Sequence, residues 1–154
     1  MTSEFNEIYS RFFLKIKDYD LAGLSEKIVN EMLLGYLHSV TAKPMVRRIF
    51  SSIALDDDME EIEYELRIPL DENSDKDFVE EVFATGMVEQ WCNPKYQSTL
   101  LTSQIFTNSE QSFYSQAAHL AEMKELLTKA QTDLRKLIRD RGYTMSVING
   151  VDTV

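Results

Sequence analysis

Cysteine is nearly absent from this 154-residue chain, which has only Cys92. No intrachain disulfide can form, and a cysteine-rich zinc site is excluded. The expected compartment is reducing, or one in which disulfides are not used. Three prolines and five glycines provide no glycine-rich phosphate loop and no Pro/Gly/Ser linker, and no repeat recurs at a solenoid period. No window approaches the ~20 apolar residues of a membrane span. The opening Met1-Thr2-Ser3-Glu4-Phe5-Asn6-Glu7 lacks the basic and apolar regions of a signal peptide. Positive charge is also scarce: 16 Lys and Arg against 26 Asp and Glu give a net charge of −10. That balance argues against broad nucleic-acid binding, which needs bases to displace counterions from phosphate. It argues equally against docking on an anionic leaflet.

What is present suits one soluble globular domain, with 44% hydrophobic and 27% charged residues. A chain of this length buries about 68–70% of its unfolded surface. The negative charge is segregated. Residues 56–92 carry 14 acids and 2 bases, whereas residues 1–55 and 93–154 each carry 6 acids and 7 bases.

Hydrophobic spacing predicts a mainly α fold, a helical bundle with a small β element. Residues 3–18 read as a helix, because Phe5, Ile8, Tyr9, Phe12, Phe13 and Ile16 share one face. Residues 25–42 read as a second, with Ser25 as N-cap and Ile28, Val29, Met32, Leu33, Tyr36, Leu37 and Val40 as its apolar face. Pro44 ends it, and residues 45–52 suggest a short third helix carrying Arg47 and Arg48. The period then changes to two. Ile62, Tyr64, Leu66 and Ile68 alternate with Glu61, Glu63, Glu65 and Arg67, which predicts a half-buried strand at 61–68 after a loop at Asp56-Asp57-Asp58.

Helical spacing returns at 75–93, where Phe78, Val79, Val82, Phe83, Met87 and Trp91 form a stripe. Ser74 and Asp77 suggest a capping box, and Asn93-Pro94 is expected to end the helix. Residues 94–108 read as a loop rich enough in apolar residues to pack on something. The last helix, about 109–141, carries a seam of Leu120, Met123, Leu127, Ala130, Leu134 and Leu137. It spans roughly 50 Å, longer than a compact domain of this size, so part of it must project or meet another subunit. Gly142 is the expected terminator. These boundaries give a single helical domain at 1–142 and a docking tail at 143–154.

Chemistry-bearing residues are few. Asp56, Asp58 and Glu60 alternate as in a calcium loop, but the sixth position is Glu61 instead of glycine and the twelfth is Arg67 instead of glutamate. His38 and His119 lie far apart with no metal spacing, and Cys92 has no partnering base nearby. Glu80, Glu81 and Glu89 could supply paired carboxylates, yet their alternation with the apolar stripe reads as a wet helix face. No catalytic residue, cofactor or metal site is therefore expected.

The run Gly86-Met87-Val88-Glu89-Gln90-Trp91, then Ser98-Thr99-Leu100-Leu101-Thr102, then Phe113-Tyr114-Ser115-Gln116-Ala117-Ala118-His119-Leu120 resembles small virion proteins of tailed bacteriophages of Gram-positive hosts. Glu122-Met123-Lys124-Glu125-Leu126, Asp133-Leu134-Arg135-Lys136-Leu137-Ile138-Arg139-Asp140, Phe5-Asn6-Glu7-Ile8-Tyr9 and Gly35-Tyr36-Leu37 are similar in kind. The resemblance covers roughly residues 4–143, is best at 86–140, and departs after Gly142 and in the strand at 61–68. It implies a mostly helical head–tail connector, or neck adaptor, assembled as a ring of twelve between portal and tail around the DNA channel. The implied location is the virion neck, after assembly in the host cytoplasm. The implied partners are other copies, the portal and the next neck or tail protein, with passing DNA as a neighbour and no membrane.

The expected interface residues are Tyr96, Leu100, Leu101, Ile105 and Phe106 in the loop, with Tyr143, Met145, Val147 and Ile148 in the tail, which could bind by strand addition through 144–148. Asp56, Asp57, Asp58, Glu60, Glu61, Glu63 and Glu65 form an expected acidic band. A non-enzymatic alternative is a phage-encoded acidic binding module, either an assembly chaperone or a regulatory, DNA-mimic-like protein.

Overall fold

A strand, not a helix, opens the chain in a computed structural model that describes the backbone of residues 1–16, 21, 23–105 and 110–148. Side chains are described for residues 1–16, 21, 23–98 and 117–142. Strand β1 (Thr2–Glu4) leads into α1 (Phe5–Lys15), followed by α2 (Glu26–Thr41), the one-turn α3 (Pro44–Arg47), β2 (Phe50–Asp56), β3 (Glu61–Leu66), α4 (Glu72–Ile105) and α5 (Glu110–Ile148). The fold is mainly α with a long C-terminal helix, as the hydrophobic spacing indicates.

The sheet is antiparallel in the order β1-β3-β2. Thr2 pairs with Glu63 and Glu4 with Glu61 on one side of β3, and Phe50 with Leu66 and Asp56 with Glu61 on the other. The period-two reading of β3 holds: Ile62, Tyr64 and Leu66 are buried, whereas Glu63 and Glu65 are exposed. Ile68 lies beyond the strand and is exposed. Both partners of β3 are absent from the sequence reading. Residues 3–4 belong to β1, and residues 50–52 start β2 instead of extending a helix. Ser51 and Ser52 obscure the alternation in β2, where pairing is irregular between Phe50 and Ser52. Asp56-Asp57-Asp58 is the turn between the strands. The Asp56 carboxylate accepts hydrogen bonds from the amides of Asp58 (3.1 Å) and Met59 (3.0 Å). Glu60 takes a left-handed φ of 55°, and its carbonyl accepts a bond from the Phe5 amide at 2.8 Å. The hairpin turn is thus tied to the start of α1.

Helix α4 starts earlier and ends later than its spacing suggests. Asp71, not Ser74, caps it: the Asp71 carboxylate accepts from the Ser74 amide at 3.0 Å. Bonds from the Ser74 side chain and amide hold that carboxyl below its ordinary value. Pro94 lies inside the helix, so residues 94–105 are helical and not a loop. A mid-helix proline removes one ladder bond and costs about 3 kcal/mol in isolation. Burial of Trp91 and Cys92 on its N-terminal side works against this cost, and within the helix Lys95 reaches back across the proline to within 5.1 Å of the Trp91 ring centre. Nor does Gly142 terminate α5, which continues to Ile148. Residues 144–148 are therefore helical in this chain, where strand addition needs them extended.

The core lies around the first half of α4, which contacts α1, α2, α5 and β1. Val79, Val82, Phe83, Ala84 and Met87 are fully buried there. Phe83 stacks on Phe50 of the sheet, with ring centres 6.3 Å apart. Phe5, Ile8 and Phe12 cover α4 from α1, and Leu33, Leu37 and Val40 join the core from α2. The buried line of α5 is Ala130, Leu134 and Ile138, a straight-helix spacing of four. The expected seam residues Leu120, Met123, Leu127 and Leu137 are only half-buried.

Gly86 is the closest crossing in this core. A Cβ there would sit 2.7 Å from Val40 Cγ1 and 2.9 Å from Cγ2, and a β-branched side chain has little freedom to yield. Gly35 in α2 has nothing within 4 Å of the same position. The same substitution should therefore have opposite signs. G86A should destabilise the protein by about 1 kcal/mol net, because overpacking of about 1–3 kcal/mol exceeds the helix-propensity gain of about 1 kcal/mol. G35A should stabilise it by up to about 1 kcal/mol. Urea unfolding of both variants checks this, and G86A as stable as G35A would refute the close crossing.

Candidate functional site

The acidic segment 56–92 divides into two chemically different parts. On α4, carboxylates meet bases brought from the flanking segments. Arg11 of α1 holds Glu80 through Nε at 3.1 Å and also pairs with Asp77. Lys15 pairs with Glu81, and Lys76 pairs with Glu7 of α1 at 2.9 Å. Lys43, which precedes α3, holds Glu89 at 2.8 Å, and Arg141 of α5 binds Asp75 while covering the Phe78 ring. This part is not the wet face its alternation suggests: Asp75 is 1% exposed and Glu80 is 4% exposed.

Glu80 is the most constrained member. Its Oε1 is buried with no hydrogen-bond partner, and the Lys76 ammonium is 3.8 Å away. Burial, followed by the neighbouring Glu7 carboxyl, pushes Glu80 above the ordinary value of 4.5, outweighing the pull of Arg11 and Lys76. The bond from Lys76 holds Glu7 below the same value. Glu7, Lys76 and Glu80 are knitted into an ion-pair network joining α1 to α4, while Lys15, Glu81 and Arg141 also line an open groove of ≈ 610 Å³ with Lys129, Asp133 and Lys136 of α5. Among the described residues no group of three or more His, Cys, Asp or Glu could hold a metal ion, and no helix is long and apolar enough to cross a membrane.

Cys92 is buried, and its Sγ donates to the Met123 carbonyl at 3.4 Å. Burial pushes the thiol up, away from the reactive thiolate. His38 on α2 is exposed and lies 3.0 Å from both carboxylate oxygens of Asp57. His119 is exposed on α5.

The other part of the segment is the β2–β3 hairpin. Asp56, Asp57, Asp58, Glu60, Glu63 and Glu65 are exposed and Glu61 is half-buried. Apart from the Asp57–His38 contact, no ion pair engages these seven among the described residues. Most of these carboxylates thus lie on the surface of the hairpin, and Met59, 69% exposed, stands at its tip.

The expected interface residues do not form one patch. α4 and α5 run antiparallel, with Cys92 beside Met123 and Asp75 beside Arg141. Residues 96–105 thus lie at one end of the helical hairpin and 143–148 at the other. Tyr96 is half-buried. Leu100, Leu101, Ile105, Tyr143, Met145, Val147 and Ile148 have helical backbone, but their side chains lie outside the described residues, and Phe106 lies outside them altogether.

The sequence reading missed a basic groove of ≈ 440 Å³ where Arg48, Arg67, Arg139 and Arg141 surround a floor that includes Leu66, Phe78 and Ile138. The signal was faint. Arg48 and Arg67 sit just outside the two strands, but only the hairpin pairing makes them neighbours, with the Arg67 Nε donating to the Arg48 carbonyl at 2.9 Å.

No protein-family model, curated protein or solved structure matches this chain.

Glu80 provides a pH test of the network. Its raised folded pKa adds stability that is present below the unfolded value of 4.5 and is lost as pH rises through the folded value. Glu7 acts with the opposite sign, losing its contribution as pH falls below 4.5. Between about pH 4.5 and 7 the wild type should therefore lose stability relative to E80Q as pH rises. Urea unfolding of both proteins across that range measures it, and parallel curves would contradict a strained Glu80.

Proposed function

We propose that the chain is a non-enzymatic structural virion protein of a tailed phage. In this reading it is a head–tail connector, or neck adaptor, whose copies form a ring between portal and tail around the DNA channel. The observation that carries the proposal is the reach of the α4–α5 hairpin. Among the described side chains, continuous burial along α4 runs to Cys92 and residues 93–98 are exposed or half-buried; the helical backbone runs on to Ile105, roughly 20 Å further at about 1.5 Å per residue. Such an arm continues past the part of α4 that the other elements enclose. In a ring it would lie against the neighbouring copy, the portal or the next neck protein. The resemblance to neck adaptors is best at residues 86–140, a stretch that includes this arm and the core segments on either side of it. The exposed carboxylates of the hairpin support an acidic band that repels phosphate as DNA passes.

The same hairpin also favours a second reading, an acidic module that captures a basic protein partner. That reading predicts a monomer or dimer and absence from mature particles. Mass spectrometry of purified virions separates the two. The neck-adaptor reading predicts the chain at about twelve copies per particle, and complete absence would overturn it. Truncation before Tyr143 keeps Ala130, Leu134, Ile138 and Arg141, so the shortened protein should fold as judged by its urea midpoint, while head–tail joining in an assembly assay falls at least tenfold. Undiminished joining would remove the C-terminal segment from the interface.

A further inference from the structure

The hairpin tip and the arginine groove are complementary surfaces at opposite ends of the same two strands. At the tip, Met59 is 69% exposed and is flanked in sequence by Asp57, Asp58 and Glu60, all exposed. A large apolar side chain held out among carboxylates has no role in this chain's own packing. The Asp56 carboxylate and the left-handed Glu60 fix the turn that presents it. The groove has the inverse design. Its floor is apolar, Ile68 at its mouth is 46% exposed, and its rim is arginine. Arg141 is committed to Asp75, and among the described residues the ion pair of Arg139 is with its neighbour Asp140, at 3.3 Å. The side chain of Arg48 has no ion pair among the described residues and is exposed. In a chain of net charge −10, such a basic rim draws acidic partners selectively.

One chain cannot bring the two together. Asp56 pairs with Glu61 at the tip and Phe50 with Leu66 at the groove, a separation of roughly 20 Å at about 3.4 Å per residue. We propose that the groove lined by Arg48, Arg67 and Arg139 receives the Met59 tip of a second copy of this chain. The contact joins two different surfaces head to tail, so an open chain of copies keeps one free tip and one free groove at its ends until a ring closes. Met59 enters the apolar floor, and Asp58 and Glu60 meet the guanidinium rim. The proposal deepens the ring reading and rests on it for biological role, but the junction itself is testable without virions.

The test uses the purified full-length chain in sedimentation velocity at low salt, at concentrations up to roughly 1 mM, the weakest association worth calling an interface. D58S/M59S disables the tip, and R48S/R139S disables the groove. These substitutions spare Asp56, the bond to Asp57 and the core, and urea unfolding confirms that each variant folds. The wild type should form species larger than dimers that weaken as salt is raised. Each variant alone should associate at least tenfold more weakly. An equimolar mixture should stop at dimers, because it offers one intact tip and one intact groove. A monomeric wild type, association untouched by either variant, or a mixture that stays monomeric overturns the proposal. Rings that persist in both variants would reject this junction while leaving the neck-adaptor reading intact. Tip-and-groove assembly of a protein absent from virions would keep the junction and reject that reading.

Discussion

From Phe78 to Cys92, α4 is enclosed by other elements, and this enclosure constrains everything else. The helix carries carboxylates among its apolar residues, so it can enter a core only if cations come with the elements that cover it. Arg11 and Lys15 arrive on α1, Lys43 arrives at the end of α2, and Arg141 arrives on α5. Apolar burial supplies the larger stabilisation, about 1.5–3 kcal/mol for each fully buried large side chain. The pairs matter chiefly because a buried carboxylate without one would be far costlier. Glu80 shows how narrow the margin is: one oxygen is held by Arg11 and the other has no hydrogen-bond partner.

That pairing explains the charge segregation. The flanks carry a slight basic excess because several of their bases are spent on α4. Carboxylates on the β2–β3 hairpin receive almost none, so negative charge is left there, with Asp56, Asp57, Asp58, Glu60 and Glu61 at the turn and Glu63 and Glu65 along β3. The arginines left unspent gather at the other end. A molecule polarised in this way along one hairpin is suited to repeated, directional contact with copies of itself, and a ring around DNA is one assembly that uses such polarity.

Much of the fold was legible because its signals are local. Phe5, Ile8 and Phe12 at helical spacing located α1, and Ile62, Tyr64 and Leu66 at period two located β3. The failures were equally local in origin. Asn93-Pro94 and Gly142 carry strong stop signals in any short window, yet both helices pass through them, because packing against a second long helix outweighs one lost hydrogen bond or one unfavourable residue. Strand β2 was missed because Ser51 and Ser52 blur its alternation, and β1 because three residues are too few to show a period. The acidic band was legible as a run of charge. The arginine groove was not, because Arg48, Arg67 and Arg139 are separated in sequence and meet only where β2 begins and β3 ends beside α5.

By itself, the sequence determined the mainly α class, most core-facing residues of α1, β3 and α4, and the segment that holds the excess charge. Each follows from spacing or composition within a few turns of chain. Tertiary structure alone decided which carboxylates are neutralised, where the long helices end, and that an acidic knob and a basic groove lie at opposite ends of one hairpin. Those outcomes depend on which distant residues become neighbours, and the free energy of a charge or a helix end is set by its neighbours in space.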